Sequence, residues 1–180
     1  MGIFDKNFRD IFSAQFISIT GGLLAGTVLA VYTDRMFMLP GMLILLPGFL
    51  EMRGNISGTL SARMTSGLFL GVIKCNRFRT RIVRSNILAS FFLAVFVSLM
   101  LGLLAASFNL LVLGVLNPEI IIVPLLAGLI ANAVEIPLAL FATFYLFRKG
   151  HDPDNIMGPF ITTTGDITSV VSLLVALVLI

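Results

Sequence analysis

The chain has 180 residues, 58% apolar and only 12% charged, with 16 Phe, 2 Tyr and no Trp. Soluble domains surround themselves with about 25% charged residues, so this composition and a mean hydropathy of +1.06 exclude a solvated shell and make hydrocarbon the main solvent. The net charge of +3 forms no basic face: Lys and Arg abut apolar runs, which suits anionic lipid headgroups and not nucleic acid.

A helical span takes about 20 residues, so the expectation is a single transmembrane domain over 1–180 with no soluble regulatory domain. Met1 to Asp10 mixes acids with bases and shows no small-residue cleavage site, so it does not read as a cleaved signal peptide. Lys6 stands where myristoylation of Gly2 requires Ser or Thr. Five apolar stretches follow, over 11–32, 39–73, 85–116, 119–147 and 153–180. They predict an all-α integral membrane protein of five transmembrane helices with short connections.

The second stretch is the unusual one. Roughly 35 residues at 1.5 Å each exceed a ~30 Å hydrocarbon core, so it is predicted to be long and broken. Pro40, Pro47-Gly48 and Gly54-Asn55 mark the breaks. Backbone groups freed at such depth need protein or a water-filled cavity, a first sign of a pathway, although a simple proline kink in a packed helix is the bland alternative. The stretch carries Glu51, Arg53 and Arg63, each costing about 2.5–3.5 kcal/mol at the bilayer centre. Asn55, Thr59 and Ser66, with Ser57, Ser61 and Thr65 in a neighbouring row, offer oxygens that suit hard cations.

The loop from Lys74 to Arg84 is basic. Its Cys75, the single cysteine, allows no disulfide framework or metal-ligand spacing and reads as an unpaired cytoplasmic thiol. The fourth stretch carries Glu135 at about the depth of Arg63, roughly 16–20 Å from the cytoplasmic ends. Mutual neutralisation is the least costly arrangement for two such groups, so Arg63 and Glu135 are predicted to form a structural ion pair.

Asp152 and Pro153 open the fifth stretch as N-cap and first helical residue; Asp152 and Asp154 also suit a vestibule that concentrates cations, and His151 reads as a solvated loop residue. Further on, Thr162, Asp166, Ser169 and Ser172 follow spacings that place them along one helical face. No basic residue in that stretch balances Asp166, near the bilayer middle, so a cation is its natural partner. One carboxylate with neutral oxygens suits Mg2+, which keeps several waters and binds through one or two carboxylates.

Lys6, Arg9, Lys74, Arg77, Arg79, Arg81, Arg84, Arg148 and Lys149 fall on one side and Arg35 alone on the other. Positive residues stay cytoplasmic, which predicts a multi-pass plasma-membrane protein with its N-terminus inside and C-terminus outside. Five helices scarcely enclose a hydrated ion, so a homodimer is expected, or a heterodimer with a second half, bringing two acidic centres to one axis. The chain has no HExxH, CxxC, GxSxG, P-loop or dinucleotide fingerprint, which speaks against an enzyme and against a nucleotide. The alternative to transport is a membrane subunit or scaffold pairing with another five-helix half. Gly22/Gly26, Gly54/Gly58 and Gly67/Gly71, which suit close helix packing, and the Arg63–Glu135 pair would suffice for it.

Leu46-Pro47-Gly48-Phe49-Leu50-Glu51-Met52-Arg53-Gly54-Asn55, with Leu60-Ser61-Ala62-Arg63-Met64-Thr65-Ser66, resembles the second-helix signature of the MgtE magnesium channels and the related solute-carrier magnesium transporters. Asp152-Pro153 and Gly158-Pro159-Phe160-Ile161-Thr162-Thr163-Thr164-Gly165-Asp166 resemble the fifth-helix signature, and Leu60 to Arg63 is closer to the solute-carrier branch. The resemblance implies a divalent-cation pathway between the second and fifth helices of two five-helix units, carrying Mg2+, with Mn2+ and Co2+ as other ions of the class. It further implies an ion site at Asp166 and a pore-facing Asn55; Thr162, Thr163, Ser169 and Thr59, on the polar faces beside them, complete the expected metal site.

Overall fold

Local chemistry sets the ends of the helices into which the apolar stretches fold. The computed structural model describes residues 6–75 and 79–180; Gly2 and Arg77 of the sequence reading lie outside the described residues. In chain order the described elements are α1 (Lys6–Val31), α2 (Thr33–Phe37), α3 (Met42–Phe69), α4 (Arg81–Leu113), α5 (Glu119–Arg148) and α6 (Pro153–Leu179). Four of them, α1, α4, α5 and α6, are long and apolar enough to cross a membrane. The 28 residues of α3 also exceed the length a span needs, but Glu51, Arg53, Arg63 and several Ser, Thr and Asn dilute its apolar character. The expected count of five spans therefore turns on α3.

The stretch expected over 39–73 is interrupted at its two ends only, and after Phe69 the chain turns at Gly71, with φ 71°. α2 adds a short turn, and the chain then reverses through Pro40 and Gly41 before α3 begins. Gly41 has φ 86°, a left-handed conformation that favours glycine. A Cβ there would also lie 2.6 Å from the Ile120 side chain and 2.8 Å from Asn109 Oδ1, and Asn109 Nδ2 donates to the Pro40 carbonyl at 3.3 Å. The breaks expected at Pro47-Gly48 and Gly54-Asn55 are absent: α3 runs unbroken through both. Pro47 removes one amide bond near the helix start and leaves the others in place.

α5 packs against α3, α4 and α6; α3 also touches α4 and α6, and α1 lies on α6. One apolar cluster gathers Leu45, Phe49, Ile56, Ile120, Ala127 and Leu173. A second gathers Leu60, Met64, Val83, Ile136 and Phe144. Arg53, Ser57, Glu135 and Ser169 are also buried, at the junction of α3, α5 and α6. Phe12, Phe16, Phe92 and Leu111 are among many large apolar side chains on the outer surface, where acyl chains would meet them.

The close helix approaches are not those expected from the glycine spacings. A Cβ on Gly102 of α4 would lie 2.9 Å from the Ile121 backbone of α5, Gly128 of α5 meets Ser98 of α4, and Gly21 of α1 meets Thr163 of α6. Gly22, Gly26, Gly54, Gly58 and Gly71 border open space, and Gly67 meets Ile73 just beyond its own helix. Spacing alone does not say whether a small-residue pair faces a neighbouring helix or the outside.

Candidate functional site

α3 and α6 leave a groove of about 300 Å³ between them. Pro47, Leu50, Glu51, Gly54 and Asn55 line it from α3, and Thr162, Gly165 and Asp166 from α6. Helical periodicity brings each set to one side of its helix, since residues three, four and seven apart share a face. Three residues chosen from the sequence for a cation site, Asn55, Thr162 and Asp166, thus meet in one place, with Asp166 half-buried.

The groove is rich in oxygen ligands. Asn55 Nδ2 donates to Glu51 Oε1 at 3.1 Å. Thr162 Oγ1 donates to the Gly158 carbonyl at 3.1 Å, so its proton points back along the helix and its lone pairs remain acceptors. The lining holds two carboxylates and neither Lys nor Arg. Among the described residues no three His, Cys, Asp or Glu side chains gather as a metal cage. Two carboxylates with neutral oxygens are the donor chemistry of a hard cation that keeps part of its water shell.

Other residues expected at the metal lie elsewhere. Thr59 is exposed on α3 one turn beyond Asn55, with its hydroxyl donating to the Asn55 carbonyl at 2.7 Å. Thr163 turns away toward Gly21 of α1 and donates to the Pro159 carbonyl at 2.9 Å. Ser169 is buried, as is Ser172. Successive steps of three residues lag behind the 3.6-residue turn, so the polar stripe winds from the groove into the protein. Glu51, expected as an intramembrane charge and as the next candidate after Asp166, lines the groove; its four-residue spacing from Asn55 was the available signal.

The ion pair also differs from expectation. Glu135 Oε2 lies 3.4 Å from Arg53 Nη2, with both side chains buried, while Arg63 is exposed. Ser61 and Thr143 share a hydrogen bond of 2.8 Å, so α3 and α5 run in register as 53 with 135 and 61 with 143. The helices are offset along their axes, and equal distances from their ends do not mean equal depth. Arg63 lies far beyond the level of Glu135. Thr168 Oγ1 of α6 contacts Glu135 Oε1 at 2.8 Å, which brings a third helix to the pair.

At the other end of α6, Asp152 caps the helix as expected: its Oδ1 accepts from Asp154 N at 3.0 Å, and Pro153 follows at the first helical position. Asp154 is exposed. His151 Nδ1 lies 2.8 Å from Asp10 Oδ2, and Lys6 Nζ donates to the Gly150 carbonyl at 2.8 Å. His151 therefore fastens the start of α1 to the α5–α6 loop instead of standing free in solvent.

No curated protein matches the chain. A family model does, MgtE, described as a divalent cation transporter, and it covers residues 46–176. The matched segment contains every groove residue from Pro47 to Asp166 together with Arg53, Glu135 and Thr168. The chain is thus a multi-pass membrane protein and not an enzyme, and it belongs to the MgtE family of divalent cation transporters.

Proposed function

We propose that this chain carries Mg2+ across the plasma membrane along the α3–α6 groove, with Asp166 holding a partly hydrated ion and Asn55 and Thr162 contacting its water shell. The observation that carries this reading is the meeting of two carboxylates, an amide and a hydroxyl in a groove lined by no basic residue. Mn2+ and Co2+ favour similar oxygen sets and compete for the site. In its Leu60 to Arg63 segment the chain resembles the solute-carrier branch of the family.

Asn55, Thr59, Arg63 and Ser66 lie exposed along α3. Polar groups facing hydrocarbon are costly, and a second copy related by a twofold axis, or a separate partner half, covers that face and closes the groove into a pore. Asp152 and Asp154 stand at its cytoplasmic mouth. The positive-inside rule puts the N-terminus inside, with Lys74, Arg79 and Arg81 cytoplasmic. Cysteine placed at Arg79 in a Cys75→Ser background should resist an impermeant reagent added outside intact cells; labelling there would reverse the orientation.

Purified protein in liposomes containing a Mg2+ indicator tests the main claim. Asp166→Asn keeps the shape of the side chain and removes its charge, and flux is expected to fall at least about tenfold, since a unit charge near a divalent ion is worth more than the 1.4 kcal/mol per decade. A variant that elutes normally in gel filtration yet carries Mg2+ at the parental rate would place the site elsewhere.

A further inference from the structure

Directly behind the groove wall stands a charge pair that no step of ion binding described above uses. Gly165 lines the groove, and a Cβ added to it would lie 3.5 Å from Glu135 Oε1 and 3.6 Å from Oε2. Only a residue without a side chain therefore separates the Glu135 carboxylate from the groove, next to Asp166 in sequence. The same carboxylate lies 2.8 Å from the Thr168 hydroxyl, whose one proton it shares with the Thr164 carbonyl at 2.8 Å, and stands 3.4 Å from Arg53 Nη2. Arg53 and Glu135 are 0% and 1% exposed, so water does not screen them. Arg53 Nε, Nη1 and Nη2 make no hydrogen bond among the described residues, so the contact with Glu135 is an ion pair without a hydrogen bond. Among the described residues Glu135 is the carboxylate that faces the guanidinium.

We propose that Arg53 and Glu135 are positioning residues that set the electrostatic background of the α3–α6 groove, with Glu135 fixing the Gly165–Asp166 wall through Thr168 and Arg53 cancelling the charge of Glu135. The proposal rests on the groove being the cation path. A neutral pair at that distance leaves the field on the ion to Asp166 and Glu51. Loss of one partner adds a full charge in a medium of low dielectric, and the two losses act with opposite sign on a divalent ion.

The test compares Glu135→Gln, Arg53→Gln and the double variant in liposomes, reading the Mg2+ concentration for half-maximal flux. Glu135→Gln leaves an unbalanced cation behind the wall and is expected to raise that concentration about tenfold. Arg53→Gln leaves an unbalanced anion and is expected to lower it about as much. The double variant restores neutrality and should return to within about twofold of the parent. A pair that only holds the fold would make both single variants worse in the same direction and the double no better, and that result overturns the proposal. If one single variant does not fold, the other single and the double still decide the sign. Parental protein that carries no Mg2+ would instead defeat the transport reading, whereas loss of flux in Asp166→Asn with unshifted half-saturation in the three pair variants would defeat this inference alone.

Discussion

Glu51 and Asp166 face one groove with unequal surroundings. Asp166 is half-buried, while Glu51 is exposed and already accepts the Asn55 amide at 3.1 Å. Solvent and that hydrogen bond weaken the hold of Glu51 on a passing ion. Glu51→Gln is therefore expected to raise the half-saturating Mg2+ concentration only about two- to fivefold, well short of the loss in Asp166→Asn. Titration of flux against Mg2+ checks the order, and equal losses would make the two carboxylates equal ligands. The meeting of Asp166 with Asn55 and Thr162 in one groove was legible in the sequence, because Asp166 is an acid on a hydroxyl-rich helix without a base. The partner of Glu135 was not legible, because choosing between Arg53 and Arg63 requires the axial offset of α3 against α5, and no spacing within one helix contains it.

Helix positions were largely readable, and the misplacements have local causes. Thr80 caps α4 by accepting from Val83 N at 3.3 Å, so the helix takes in Arg81 and Arg84, which had been read as loop. Long basic side chains extend to the interface from a helix end without ending it. Gly114, with φ 67°, closes α4 before the apolar run does. α1 bears on the site from behind: Gly21 abuts Thr163, whose β-branched side chain is stiff at χ1 and donates to the Pro159 carbonyl at 2.9 Å. A methyl at Gly21 has room only if α1 and α6 move apart or α6 shifts toward the groove. Gly21→Ala is expected to destabilise the protein by about 1–3 kcal/mol and to reduce flux, whereas Gly22→Ala, which borders open space, should change neither. Thermal unfolding and liposome flux on the same preparations separate the two outcomes.

The exposed polar row on α3 makes assembly the test of the whole molecule. Thr59→Cys in a Cys75→Ser background is expected to form a covalent dimer under mild oxidation, because Thr59 lies on the face assigned to the second copy. No cross-link, a monomer mass in nanodiscs and persisting flux would together reject the dimer. Membrane class could be read from composition and motifs, but which faces stay open could not, since that depends on the six described helices together. The buried pair also orders events in time. Arg53 on α3 precedes α4 and α5 in the chain and is therefore synthesised before Glu135. Until α5 delivers Glu135, α3 carries an uncompensated charge at a cost of about 2.5–3.5 kcal/mol and has weak grounds to stay inserted alone. Pairing then makes α5 the helix that retains α3, so an early truncation would lose one wall of the groove along with the helix that was cut.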